Sequence, residues 1–255
     1  MKISKANVPW KDSFQELVDC WEDAGYCESD HSENRFSWTF VDNRSILLHE
    51  HDQVTELPSY YQVGLFANAQ HDRGKPWIYW PRHIKEVTRL IKEGIPSYED
   101  RSIKSLFVGA IENPIQYVNR TRFDWKLAVD SFDLNIQLFS KKPHKYSNSQ
   151  FLQLIRKARF GLSLEGYGPK CQRDVEYMAN GVVPVFTWKG FNDYRNPLVE
   201  GVHYLTARHP REAKEKINQV SENQWKEMSA NCVEWFNKNC SIEGSFKTTM
   251  EIINE

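Results

Sequence analysis

Between Lys104 and Phe186 short apolar runs alternate with amphipathic stretches, and this alternation restricts the fold more than any other feature of the chain. Lys104-Ser-Leu-Phe-Val108, Ile136-Gln-Leu-Phe139, Phe160-Gly-Leu-Ser-Leu164 and Val182-Val-Pro-Val-Phe186 read as buried strands. Residues 119–131, Asn148 to Lys157 and Lys170 to Asn180 read as the helices between them. Strand–helix–strand order of this kind predicts an α/β protein in which helices cover a parallel sheet. Such sheets bind ligands beyond the carboxyl ends of their strands, so the loops after Val108, Leu164 and Phe186 are expected to surround one site.

The first hundred residues carry the same two periodicities less regularly. Phe14, Leu17, Val18 and Trp21 mark an amphipathic helix over residues 12–24, and Ser45-Ile-Leu-Leu-His49 and Gln62-Val-Gly-Leu-Phe66 read as strands. Trp77-Ile-Tyr-Trp80 reads as a third strand, followed by a helix with Ile84, Val87, Leu90 and Ile91 on one face and Gly94-Ile-Pro96 as its stop. The Pro- and charge-rich stretch at 95–102 predicts a break between domains 1–97 and 98–255, with a terminal helix at 242–253 crossing back onto the first. At 255 residues the chain can bury a substantial core in each.

Charge narrows the partners. Thirty-three basic and 34 acidic side chains give a formal net charge of -1, which argues against nucleic acid, since that partner asks for a concentrated basic surface. No apolar run reaches membrane-spanning length, and residues Met1 to Trp10 carry no signal-peptide pattern. The five cysteines form neither a C-x-x-C pair nor a zinc spacing. Reduced thiols and a cytoplasmic location are therefore expected, in the host cytoplasm if the chain is viral.

The segment from Phe160 to Val185 is the most informative. Gly166 and Gly168 allow backbone to approach a ligand closely after a buried strand, and Tyr167 between them can stack on or cover a base. The following helix is expected to start near Pro169 and to turn its free amide groups and positive dipole end toward the same crevice, which favours a diphosphate. Val175, Met178 and Ala179 form its apolar stripe with Cys171, while Arg173 and Glu176, three apart, share another flank. A carboxylate such as Glu176 can accept two ribose hydroxyls, and Lys170 or Arg173 can neutralise a departing diphosphate. Spacing alone equally allows a solvated ion pair.

This stretch resembles the donor-binding motif of exostosin-like glycosyltransferases: an F-x-L strand, a glycine, an arginine, an acid three residues on, then G-x-x-P-V. Here those positions are Phe160, Leu162, Gly166, Arg173, Glu176, Gly181, Pro184 and Val185. Lewis-type fucosyltransferases carry a related segment. The resemblance implies a GT-B architecture of two Rossmann-type domains with parallel sheets, the second binding a nucleotide sugar without a metal or other cofactor. It further implies that Glu176 contacts the donor ribose and Arg173 its phosphate or sugar. Phe107-Val-Gly109 with the basic Arg120 and Arg122 fits the start of that domain more loosely. The expected partners are a nucleoside-diphosphate sugar, UDP before GDP, and a glycan acceptor.

An inverting transferase needs a general base for the acceptor hydroxyl. Asp52, in Ile46-Leu-Leu-His-Glu-His-Asp52, and Asp72, in Asn68-Ala-Gln-His-Asp72, follow the two apolar strands of the first half and are the candidates. Asn192 and Asp193, in the loop after Phe186, are placed to contact sugar hydroxyls. Two rival readings use the same residues. One is a binding protein without turnover; the other is a metal-dependent GT-A transferase built on Glu50-His51-Asp52, although no Asp-x-Asp occurs in the chain.

Overall fold

The computed structural model describes residues 2–4, 12–30, 38–41, 44–49, 62–64, 80–138, 144–166, 171–187 and 194–254. In chain order the elements are β1 (Lys2–Ser4), α1 (Asp12–Asp23), β2 (Glu28–Asp30), β3 (Trp38–Val41), β4 (Arg44–His49), β5 (Gln62–Gly64) and α2 (Ile84–Lys92). Then come β6 (Ile103–Ile111), α3 (Pro114–Thr121), a 3-10 turn (Trp125–Leu127), β7 (Ser131–Ile136), α4 (Asn148–Ile155), β8 (Ala158–Ser163), α5 (Gln172–Ala179) and β9 (Val183–Phe186). The chain closes with β10 (Leu205–Thr206), α6 (Pro210–Gln219), α7 (Glu222–Asn239) and α8 (Ile242–Asn254). Among the described residues no helix is long and apolar enough to cross a membrane.

Two compact units divide these elements. The first comprises Met1–Lys85, Asn192–Pro197 and Asn237–Glu255. Its sheet runs β2-β1-β3-β4-β5 and is mixed, with β3 antiparallel to both neighbours. The expected all-parallel sheet does not form here, because only two residues separate β3 from β4 and a parallel crossover needs a dozen or more. Trp21 on α1 is fully buried and donates its indole Nε1–H to Ser245 Oγ at 2.9 Å and Ile242 O at 3.1 Å. Phe246 lies edge-on to Trp21 and stacked on Tyr26, which ties α8 to α1.

The second unit comprises Glu86–Phe191 and Leu198–Phe236. The division falls at Lys85/Glu86, earlier than the break expected at 97/98. The stretch after Glu86 is bound to the second sheet: Arg156 donates to Leu90 O at 3.0 Å and Gly94 O at 2.6 Å, and Ser149 donates to Glu86 at 3.0 Å. Here the sheet is parallel throughout, in the order β10-β9-β8-β6-β7. Its core joins Phe107, Phe160, Leu162, Val183 and Val185 to Ile217, Trp225 and Met228.

Two expected elements move. The helix anticipated at 119–131 is α3 followed by the 3-10 turn. Asn113 caps α3, accepting from Gln116 N at 2.9 Å, and Pro114 starts it early. The strand anticipated at 136–139 is β7, whose Ser131-Phe-Asp-Leu-Asn-Ile136 alternates polar and apolar residues. The proposed strand at Trp77–Trp80 lies outside the described residues except for Trp80, which is buried in a non-strand conformation.

Candidate functional site

Numbered within the second unit, the sheet follows the order 5-4-3-1-2. Its direction of winding reverses between β6, the first strand, and β8, the third. At such a switch point the connections leave on opposite faces and open a crevice at the carboxyl ends of the two strands. Two buried arginines meet there. Arg173, 8% exposed, donates from Nη2 to Leu164 O at 2.7 Å and from Nη1 to Val108 O at 3.4 Å, spanning the two strands. Arg120, 6% exposed, spans them as well, from Nε to Glu165 O at 3.0 Å and from Nη1 to Ala110 O.

The local chain explains how they come together. Arg173 sits in the first turn of α5, above the ring of Phe107 at 4.8 Å, and a Cβ built on Gly109 would lie 3.0 Å from its Nη1. A side chain at Gly109 would thus push the guanidinium out of place. Arg120 is reached through an inverted helix: α3 turns Ile115 and Val118 outward and Arg120 inward. Asn119 on the same helix donates to Gly166 O at 3.4 Å, holding the loop after β8.

Burial makes the two charges costly, and their hydrogen bonds to neutral carbonyls only partly compensate. Desolvation, then the positive charge of Arg173, pushes the Arg120 pKa down to about 10. Burial also disfavours the Arg173 charge, but the neighbouring Cys171, Tyr177, Asp174 and Glu176, in that order, outweigh it and hold its pKa above the ordinary value. Both stay charged at neutral pH. Arg173 Nε is buried with no partner among the described residues. The result is a concentration of positive charge with hydrogen-bond capacity left over, the chemistry that accepts a phosphate or diphosphate.

Acidic groups surround it. Glu176 is 6% exposed on the same flank of α5 as Arg173, so the two are not a solvated surface pair. Asp174 is fully buried and caps the helix, accepting from Cys171 N at 2.9 Å and from Ser163 Oγ. Burial raises its pKa to about 6 despite Arg173 and these two donors. Glu165 carries a half-buried carboxyl that desolvation raises, with Arg122 opposing the rise.

Of the residues read from the sequence, Gly109, Gly166, Arg173 and Glu176 are all placed at this pole of the second sheet, Gly166 through the bond from Asn119. Tyr167, Gly168, Lys170, Asn192, Asp193, Asp52 and Asp72 lie outside the described residues, as do Glu50 and His51. Helix α5 begins at Gln172 rather than near Pro169, since Cys171 is the residue whose backbone N–H the Asp174 carboxylate receives. Arg120 entered the sequence reading only beside Arg122, in the looser fit after Phe107-Val-Gly109, and was given no role there. Its signal is the inward position of Gln116, Asn119 and Arg120 on a helix whose apolar side faces out.

No protein-family model matches the sequence, and no curated protein matches it. Among solved structures, the chain is similar to an alpha1,3-fucosyltransferase, with a TM-score of 0.54 and 12% identity over 100% of this chain and 90% of that one. It also matches the C-terminal domain of LpcC, a glycosyl transferase group 1 family protein from Francisella tularensis. There the TM-score is 0.40 and the identity 8%, over 63% of this chain and 94% of that domain. At such identity the fucosyltransferase likeness speaks to fold alone: the chain is an α/β protein of the GT-B kind.

Proposed function

We propose that this chain is a glycosyltransferase that moves a sugar from a nucleoside-diphosphate sugar to a hydroxyl of a glycan acceptor. One observation carries the reading. Two buried guanidiniums with spare donors flank the switch point of a parallel sheet, beside a buried carboxylate one helical turn from the nearer of them. The diphosphate lies against Arg120 and Arg173, and Glu176 accepts the ribose hydroxyls. In transfer the acceptor oxygen bonds to the anomeric carbon as the bond from that carbon to the diphosphate oxygen breaks. The electron pair leaves with the diphosphate, whose growing charge the two arginines stabilise. Asp52 or Asp72 takes the acceptor proton, with inversion and without a metal, and Asn192 and Asp193 hold the sugar. UDP is the favoured nucleotide and GDP the second. Kinship with exostosin-like enzymes rests on the Phe160–Val185 motif.

Thermal shift against UDP, GDP, ADP and their sugars tests the donor site. A ligand at 100 times its dissociation constant adds about 2.7 kcal/mol of stability. A shift with one diphosphate that Glu176→Ala removes is the expected result. Failure of every nucleotide to shift the wild-type chain would sink the reading.

A further inference from the structure

Two consecutive residues of α5 grip two consecutive residues of β8 and the loop after it. Arg173 donates from Nη2 to Leu164 O at 2.7 Å, and Asp174 accepts from Ser163 Oγ. They clasp the strand end from opposite faces. Ser163 shares its face with Gly161, which lies under the Tyr177 ring of α5. The Arg173 guanidinium lies over Phe107 on the other face, since it is Leu106 that pairs with Gly161. The strand end is itself fixed, because Thr187 donates to Ser163 O from N at 3.3 Å and from Oγ1 at 3.1 Å.

Asp174 also closes the first turn of the helix. Its other carboxylate oxygen accepts from Cys171 N at 2.9 Å, and its own N–H donates to Cys171 O at 2.9 Å. An asparagine makes the same side-chain bonds, accepting from Cys171 N and donating to Ser163 Oγ, without the cost of a buried charge. The fully buried ionisable carboxyl therefore needs a reason. On its own turn it faces Arg173, Glu176, Tyr177 and Cys171; β8 faces it with Ser163, and Arg120 of α3 stands against Cys171. A negative charge there lies next to the guanidinium that is to hold the diphosphate. Ionised, it supports the Arg173 charge and opposes an incoming anion. Protonated, it keeps both links, since a carboxylic acid can accept from Cys171 N and donate to Ser163 Oγ.

We infer that Asp174 is a positioning residue of the donor site: it locks the first turn of α5 to the end of β8, so that Arg173 meets the diphosphate, and its own charge tempers the hold. The inference rests on the donor-site reading above. Donor affinity is then greatest with the carboxyl protonated. Burial raises its pKa to about 6 in the free chain, and a bound anion raises it further, so affinity falls as pH climbs through this range.

Calorimetric titration of the full chain with UDP-glucose and GDP-mannose at pH 5 and pH 8 tests this; both probes are diphosphate diesters whose charge is constant over that range. Wild type binds the preferred probe about tenfold tighter at pH 5 than at pH 8. Asp174→Asn keeps the links and drops the charge, so it binds about tenfold tighter than wild type at pH 8 and shows no slope. Asp174→Ala drops both links. At pH 5, where wild type is protonated and the charges no longer differ, it binds about tenfold weaker, and Ser163→Ala, which drops one link, about threefold weaker. A carboxyl that served stability alone would shift the melting temperatures and leave these affinities alike. Asp174→Ala and Ser163→Ala within twofold of wild type at pH 5, or a slope that survives in Asp174→Asn, overturns the role of Asp174; the donor site stands if Arg173→Ala still weakens the probe. Failure of both probes to bind wild type, or binding unmoved by Arg173→Ala, is the distinct signature of a wrong donor site, and this inference falls with it.

Discussion

Buried arginines stand at both poles of the second sheet, and they are built differently. At the amino pole Arg101, 1% exposed, donates to four carbonyls: Ala158 O at 2.7 Å, Asn180 O at 2.7 Å, Pro96 O at 3.1 Å and Arg156 O at 3.3 Å. Its guanidinium lies over Trp225 at 5.0 Å. At the carboxyl pole Arg120 and Arg173 donate to two carbonyls each among the described residues. A guanidinium has five N–H donors, so Arg101 is nearly saturated and the other pair is not. Among the described residues both Arg101 and Arg173 leave Nε without a partner, so an orphaned Nε does not by itself mark a ligand site. What separates them is spare capacity combined with position at the switch point. Arg101 staples the chain ends that enter the sheet, whereas the other two keep donors to spare at its carboxyl pole.

A pair of truncations breaks this contrast if it is wrong. Arg101→Ala strands four carbonyls and opens a cavity beside Trp225, and it lowers unfolding free energy by about 3–5 kcal/mol in denaturant titration. The folded fraction keeps its donor affinity. Arg173→Ala does the opposite: kcat/KM falls by about a hundred- to a thousandfold, the scale seen when one preorganised donor to a developing charge is removed. Its cost in stability is smaller, because only two carbonyls lose a partner. Equal stability losses with equal losses of activity would mean that both arginines are structural.

Helix α5 joins the poles, and its two ends repeat the contrast in neutral and ionisable form. At its far end Asn180 accepts from Arg156 at 3.1 Å through a side chain that cannot titrate. At its near end the buried Asp174 can, with its folded pKa raised from 3.8 to about 6. A raised carboxyl pKa means that the folded state holds its proton more tightly than the unfolded chain. Its contribution is therefore most favourable below pH 4 and declines as pH rises through 6. Asp174→Asn removes this dependence while keeping an acceptor for Cys171 N. The stability of the variant relative to wild type should rise by on the order of 2 kcal/mol between pH 4 and 7. Parallel curves for the two proteins would place the titration elsewhere.

Most of the second sheet was legible in the sequence because a buried parallel strand is a bare apolar run bounded by turn residues. Strands β8 and β9 and the helix between them follow from Phe160-Gly-Leu-Ser, Val183-Pro-Val-Phe and the apolar stripe of α5. The mixed first sheet was not legible, since β1 and β2 are three residues long and too short for any period to register. Within the site, Arg173 and Glu176 could be read because they lie on a helix of ordinary polarity in a spaced motif. Arg120 was named only beside Arg122 in a looser fit, and its burial at the site was not legible. It lies on a helix with its apolar side outward, Val118 being 61% exposed. Pattern rules assume that the covered side is apolar, and they fail on α3, where the inward side carries Gln116, Asn119 and Arg120.

The smallest effect discriminates most finely. Arg120→Lys at one pole and Arg156→Lys at the other both keep the charge and lose the planar fork. Arg120 bridges Glu165 O and Ala110 O, and Arg156 bridges Leu90 O, Gly94 O and Asn180 Oδ1. A lysine satisfies one such acceptor well, so each variant loses about 1–2 kcal/mol of stability. Donor affinity should fall about tenfold in Arg120→Lys, because a point charge cannot hold two carbonyls and a phosphate oxygen together. It should not change in Arg156→Lys, whose acceptors belong to the amino pole. Were Arg156→Lys to weaken nucleotide binding as much as Arg120→Lys, the loss would have to be read as loosening of the whole sheet, and the carboxyl pole would have no special claim on the anion.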